Sequence, residues 1–354
     1  MKKYIITFIS IFIVFMALSI GTVAYIDPFF HYHKPVSSLY YRLSDSRHQN
    51  DGVARQFDYD AIITGTSLVE TIKPSIFNEE FGTNAIKIPY PGATFYETAR
   101  TIRTSYATGH DLKLVFRSFD MNHLVEEAYA GRTDLGVYPE YLYNDTIRDD
   151  YKYLCNIDVL HDYCIPMILD RIKGKEGGVT SFDDYMYTER TSGDVLADIS
   201  HFGFSDETIE FTSEDKRKVN ENVEENIISL AKEHPETTFI YFIPPYSVAW
   251  WNGYAVRGEY DYITTAMQYA VEMMLEVDNI KVYMLANEFD ITTDLSNYED
   301  AIHYVNDINF QIMDKIKAGD NLLTKGNYEQ QFAAMYDYYR NYDYGILEAQ
   351  AGQQ

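Results

Sequence analysis

The chain has 354 residues, 46% of them hydrophobic, and a formal net charge of −25 at pH 7. That length and apolar content suffice for one large or two ordinary domains with a real core, which excludes disorder as the default state. The acidic balance argues against nucleic acid, and against adhesion to anionic lipid, because both demand a basic face.

Met1, Lys2 and Lys3 precede an uncharged run from Tyr4 to Tyr25, close to the ~20 apolar residues that span a bilayer. Residues 1–26 therefore read as an N-terminal membrane anchor, with the lysines inside and the remainder outside the cytoplasm. The alternative is a signal peptide cleaved after Thr22-Val23-Ala24, but the run is long for that role. Residues 27–58 read as a juxtamembrane segment. His31 and His33 lie in it without a third ligand, so no metal is expected. Arg47, Asn50 and Gly52 just ahead of the first strand either brace the active-site loops or belong to a surface loop.

At Tyr59–Glu70 the sequence YDAIITGTSLVE places an apolar β-branched run before a Gly-Thr-Ser turn. A parallel sheet puts such a turn at its carboxyl edge, where open α/β folds bind ligands. A second strand at 84–89 opens into Tyr90-Pro91-Gly92. A helix over 94–106 and a third strand over 112–119 follow, the strand ending in Asp120-Met121-Asn122. Residues 124–215 are Tyr-rich and irregular, too long for a structureless loop, and read as a partly helical insertion or lid. A helix over 214–233, a strand over 238–243 stopped by Pro244-Pro245, a helix over 261–277, a strand over 280–285 and a helix over 305–318 complete the alternation. Residues 59–123 and 216–326 thus form one α/β domain with a parallel sheet, and residues 327–354 a peripheral tail.

A serine hydroxyl needs a base to become a nucleophile. NYEDAIHYVND supplies one, with Asp300 three residues before His303, so that the carboxylate can orient the imidazole towards Ser67. Acyl chemistry also needs oxyanion donors, and the amides of Ser67 and Gly92 are the natural pair. Arg117, on an otherwise apolar strand, is a candidate contact for an anionic polymer, with a carboxylate salt bridge as the plainer role. Trp250 and Trp251, just past the fourth strand, are a candidate sugar platform, with packing of the lid as the alternative. The 33 tyrosines suit sugar stacking as well as half-buried packing. Cys155 and Cys164 could pair outside the cytoplasm; their spacing does not suit a zinc site.

A Gly-x-Ser after the first strand, a glycine after the second and Asp-x-x-His near the end resemble the SGNH/GDSL hydrolase superfamily. The anchor and the PYPGATFYE stretch are most similar to its envelope-associated members, such as the D-alanyl-transfer protein of teichoic-acid operons and the polysaccharide O-acetylation proteins. The resemblance covers about residues 55–125 and 235–315. It departs from the family in having Thr66 before the serine in place of aspartate. It departs again in Ser118-Phe119-Asp120-Met121-Asn122, where the family has Gly-x-Asn-Asp. Asn122 is the preferred third oxyanion donor, since an ionised Asp120 cannot donate.

The resemblance implies a three-layer α/β/α, flavodoxin-like fold with a catalytic triad of Ser67, Asp300 and His303 and no cofactor. It implies a single-pass membrane protein with an extracytoplasmic domain that moves acyl groups, acetyl foremost, on or off a cell-envelope glycan. Its partners would be that glycan, an acyl donor and a membrane acyl carrier. Transfer and hydrolysis use the same triad and are not separable by sequence. The alternative is a non-catalytic surface protein that keeps the fold and binds polysaccharide or an envelope partner.

Overall fold

The computed structural model describes residues 1–352. Five short apolar runs become strands: β1 (Ala61–Gly65), β2 (Ala85–Pro89), β3 (Leu114–Ser118), β4 (Thr238–Ile243) and β5 (Ile280–Met284). They form a single sheet in the order β2-β1-β3-β4-β5, and every pairing is parallel. All residues of β1, β2 and β3 are buried, so both faces of the sheet are covered, as continuous Ile/Val-rich strands require. This is the α/β class with a parallel sheet that the sequence predicts. From β1 the chain moves one way to β2 and then crosses to β3 on the other side. That order creates a topological switch point at the carboxyl ends of β1 and β3.

Helix α1 (Lys2–Ile26) is long and apolar enough to cross a membrane. It ends at Asp27, whose left-handed φ of 47° turns the chain. The Asp27 carboxylate then accepts from the amides of His31, Tyr32 and His33 and from the Tyr153 hydroxyl. Phe29 and Phe30 behind it are buried, with Phe29 stacked on Tyr153.

The stretch from 27 to 58 is therefore no loose linker. It contains helix α2 (Ser46–Gln56), capped by Asp45, with Gln49, Asn50, Asp51 and Gly52 buried. Asn50 braces the end of β2 by donating to the Pro89 carbonyl at 2.8 Å. Gly52 is a contact glycine: an added Cβ would fall 2.1 Å from the Phe29 carbonyl oxygen. Gly52→Ala is expected to lower stability by about 1–3 kcal/mol through overpacking, checked by thermal unfolding of the full chain in detergent.

Helices α3 (Pro74–Phe81) and α4 (Phe95–Ala107) follow β1 and β2. The start of α4 is fixed by a capping box between Thr94 and Glu97, which satisfies two orphan amides at once. The helix predicted over 214–233 is one helical run, Ser213–Val223 (α5) continued to Glu233, in which Glu224–Ile228 widen into a π turn. Helix α6 (Val248–Val256) starts five residues after β4, α7 (Tyr260–Met274) leads to β5, and α8 (Asn306–Ala318) follows the Asp-x-x-His loop.

One sequence expectation is corrected here, and one open question is answered. The C-terminal segment is not peripheral: α9 (Tyr328–Arg340) buries Phe332, Met335 and Tyr339, and the Tyr339 hydroxyl donates to the Ala286 carbonyl just past β5. Its apolar positions recur at helical spacing, and Tyr-rich composition hid them. Cys155 and Cys164 are both free, one exposed and the other buried. Tyrosine mostly serves packing in this chain. Tyr90, Tyr153, Tyr246, Tyr298 and Tyr339 are fully buried rings whose hydroxyls find polar partners.

Candidate active site

β1 ends at Gly65, which has φ 140° and no room for a side chain, since a Cβ would meet Ser118 Oγ at 2.1 Å. Only glycine lets β1 and β3 approach this closely at their carboxyl ends. Thr66 then caps a short 3₁₀ turn, Ser67–Val69, which presents Ser67 at the switch point.

Across the sheet edge, Asp300 folds back on its own loop. One carboxylate oxygen accepts from the amides of Ile302 and His303 at 2.8 Å each, and the other pairs with His303 Nδ1 at 2.7 Å. Asp-x-x-His is thus read here as a turn, with the carboxylate holding both the backbone and the ring. Nδ1 donating to Asp300 leaves Nε2 as the acceptor, and Ser67 Oγ lies 2.7 Å from it. Residues 236 positions apart therefore make one continuous serine–histidine–aspartate relay, as the spacing anticipates.

Burial pushes the Asp300 carboxyl up, but the hydrogen bonds from the His303 ring and from the two amides outweigh it and hold it at about 2. Its native value lies below its unfolded one. Its contribution to stability is therefore complete above the ordinary carboxylate range of ~3.9 and is lost as pH falls towards about 2. The stability gap between the parent and Asp300→Asn is expected to be constant near neutrality and to shrink through that acid window, as read by unfolding at stepped pH.

The amides of Ser67 and Gly92 donate to no protein acceptor among the described residues. Gly92 has φ 63°, and Arg132 Nη1 holds its carbonyl at 2.5 Å. Asn122 is exposed and accepts from the Tyr254 hydroxyl at 3.2 Å, at the rim of a groove, with no hydrogen bond to Ser67 or His303. Asp120 lies under the nucleophile loop. Its oxygens accept from the hydroxyls of Thr66 (2.9 Å), Tyr246 (2.8 Å) and Ser118 (2.5 Å). These hydroxyls engage a carboxylate that could not itself donate. Asp120 so ties β1, β3 and the loop after β4 together.

Arg117 is not available to a polymer. Its side chain is 2% exposed, donates to the carbonyls of Asn226 and Phe95 and lies against the Phe95 and Tyr241 rings. Burial pushes its pKa down. The cause is the covered sheet: a side chain leaving β3 runs beneath α4 and the π turn. Trp251 is likewise buried, stacked on Tyr339 at 4.9 Å, because residues 248–256 are a helix and not a rim loop. Trp250 stacks on Tyr246 at 4.0 Å and reaches the surface only at its edge.

That edge lines a groove of about 460 Å³ bounded by Asn122, Ile199, His201, Trp250, Tyr254 and Ile302. Ile302 belongs to the triad turn, so the groove opens beside His303. A second cleft, about 640 Å³, is lined by Tyr96, Arg100, Tyr129, Arg132 and Tyr138 and reaches Gly92 through Arg132.

Arg190 was invisible to sequence reasoning. It comes from the insertion, and its Nη2 donates to the Ser67 carbonyl at 3.0 Å and to Glu70 at 2.9 Å. Its Nε lies 3.6 Å from Glu299. It therefore clamps the Ser67 turn to the Asp300–His303 turn from outside the sheet. No spacing or motif marks it. Burial pushes the Glu70 carboxyl up, with Arg190, His303 and Lys87 pulling it back. Burial likewise pushes the Lys87 ammonium down to about 7. Among the described residues no group of three or more His, Cys, Asp or Glu side chains could hold a metal ion.

No family model, curated protein or solved structure matches the chain.

Proposed function

We propose that this protein is an SGNH-like serine O-acyltransferase or carboxylic-ester hydrolase, anchored by α1 with its α/β domain outside the cytoplasm. It acts on acyl groups, acetyl foremost, of a cell-envelope polysaccharide. The observation that carries this reading is the unbroken relay Ser67 Oγ, His303 Nε2, His303 Nδ1, Asp300, with both links at 2.7 Å.

Ser67 Oγ attacks the ester carbonyl while His303 Nε2 takes its proton, and Asp300 stabilises the imidazolium that forms. The carbonyl oxygen, now an oxyanion, is received by the Ser67 and Gly92 amides. The tetrahedral species collapses as His303 returns the proton to the departing oxygen, leaving acyl-Ser67. A glycan hydroxyl or water, deprotonated by His303, then takes the acyl group. The groove beside Ile302 is of a size and mixed polarity that suit a sugar.

Intact-mass measurement of the full chain in detergent, after incubation with an activated acetyl ester, tests this. One acetyl adduct on the parent that is absent from Ser67→Ala is the expected result, and added glycan fragments would identify the acceptor. A second reading is a non-catalytic polysaccharide-binding protein. It is favoured by one observation: a carboxylate, Asp120, stands where the resemblance calls for an asparagine donor. On that reading no adduct forms, and glycan binding survives Ser67→Ala.

A further inference from the structure

The first-turn carboxylate after α1 is not the only join between anchor and domain. On α1, Val23 and Ile26 are buried, and Met16 and Ile20 on the same face are partly covered. Helix α1 packs there against the Tyr151–Leu154 turn and the Val159–Cys164 π turn of the insertion. The depth of that contact matters. A helix rises 1.5 Å per residue, so a hydrocarbon core of about 30 Å entered at Tyr4 is left at about Val23. Met16 then lies roughly 10 Å below the outer boundary, and whatever packs on the Met16–Val23 face is drawn towards the lipid.

The element drawn there has the surface for it. The π turn continues into the helix Ile165–Ile172. Its inner face is closed by Met167 and by Asp170, which is paired with Arg42 and Lys175. Its outer face carries Ile165, Leu169 and Ile172, at positions i, i+4 and i+7, exposed to 41%, 47% and 75%. Ile157 precedes it, also exposed. Three aliphatic side chains in one stripe on a soluble surface are unusual. Exposed Tyr25 and Tyr151 flank the junction, which matches the aromatic preference of the membrane–water interface.

Resting on the reading of α1 as a membrane span, we infer that the Ile165–Ile172 helix is a second membrane element. It lies along the outer bilayer surface with Ile165, Leu169 and Ile172 in the acyl–headgroup boundary. Apolar burial and not charge drives the contact. Asp158 and Asp162 precede the stripe, Arg171 lies within its span, and Lys173 and Lys175 follow it, so charges of both signs flank the surface. Such helices typically sink about 5–10 Å, in keeping with the level of the α1 contact. Lipid contact would fix the tilt of the domain as well as its distance.

The test uses the full chain with Cys155 and Cys164 replaced by serine, reconstituted in phosphatidylcholine vesicles. An environment-sensitive fluorophore is placed on Leu169→Cys, on Phe12→Cys within α1, or on Val137→Cys, a fully exposed position in the cleft lined by Tyr96 and Arg132. The expected result is a blue-shifted Leu169 label, quenched by nitroxide-bearing lipid and protected from aqueous iodide, with the Val137 label behaving oppositely. Iodide quenching of the Leu169 label together with lipid quenching of the Phe12 label overturns the inference and leaves the anchor standing. Protection of the Leu169 label from both quenchers shows a protein covering the stripe and also overturns it. A Phe12 label untouched by lipid nitroxide removes the anchor, and the inference with it.

Discussion

Ser67→Ala is expected to abolish the acyl adduct and to lower ester turnover by up to about 10⁶-fold, the scale on which loss of a triad nucleophile acts. His303→Ala should cost as much, because the two act as a unit, and the double variant should be little worse than either alone. The residual rate would come from binding and from the Ser67 and Gly92 amides. Neither change should unfold the protein, since the Ser67 hydroxyl has His303 as its single side-chain partner. Turnover of a chromogenic acetyl ester, with thermal unfolding as the control, measures both. A Ser67→Ala protein with undiminished turnover would sink the triad assignment.

Arg190→Met is expected to destabilise the protein by about 3–5 kcal/mol, the usual cost of removing one partner of a buried ion pair. The Arg190 side chain is 4% exposed, and its removal leaves Glu70 without its nearest countercharge and the Ser67 carbonyl without its donor. Glu70→Gln added to Arg190→Met should recover part of the loss, because it removes the uncompensated carboxylate; a double-mutant cycle isolates that coupling. Slower acylation should accompany the loss of stability, with the nucleophile turn no longer fastened. If the single variant unfolds at the parent's temperature, the clamp is not what holds the two turns together.

Much of the fold was legible because short runs such as Ala61–Ile63 and Phe239–Ile243 are continuous, apolar and bounded by turn residues, which is how strands buried on both faces read. The hydrogen-bonded Ser67–His303–Asp300 relay was legible because each member sits at a strand end or in a turn with its own local signature. Side-chain direction was harder. Arg117 and Trp251 carry groups that suggest ligands, and the sequence does not say which face of an element they leave from; burial beneath α4 and α9 decides it. Arg190 was out of reach because its role depends on where an irregular segment of some ninety residues returns to the sheet, and no local pattern encodes that return.

The closing turn of α1 sets how far the protein can reach. Asp27 leaves no slack between helix and domain, as its carboxylate gathers three following amides and a hydroxyl from Tyr153. A flexible stalk would let the Ser67 face sweep a hemisphere above the lipid. With α1 in a bilayer, this face keeps a single altitude and is free only to yaw about the bilayer normal. On the proposed function, acceptors would have to come to it: polymer strands passing close to the membrane would lie within its reach, and the outer layers of an envelope would not.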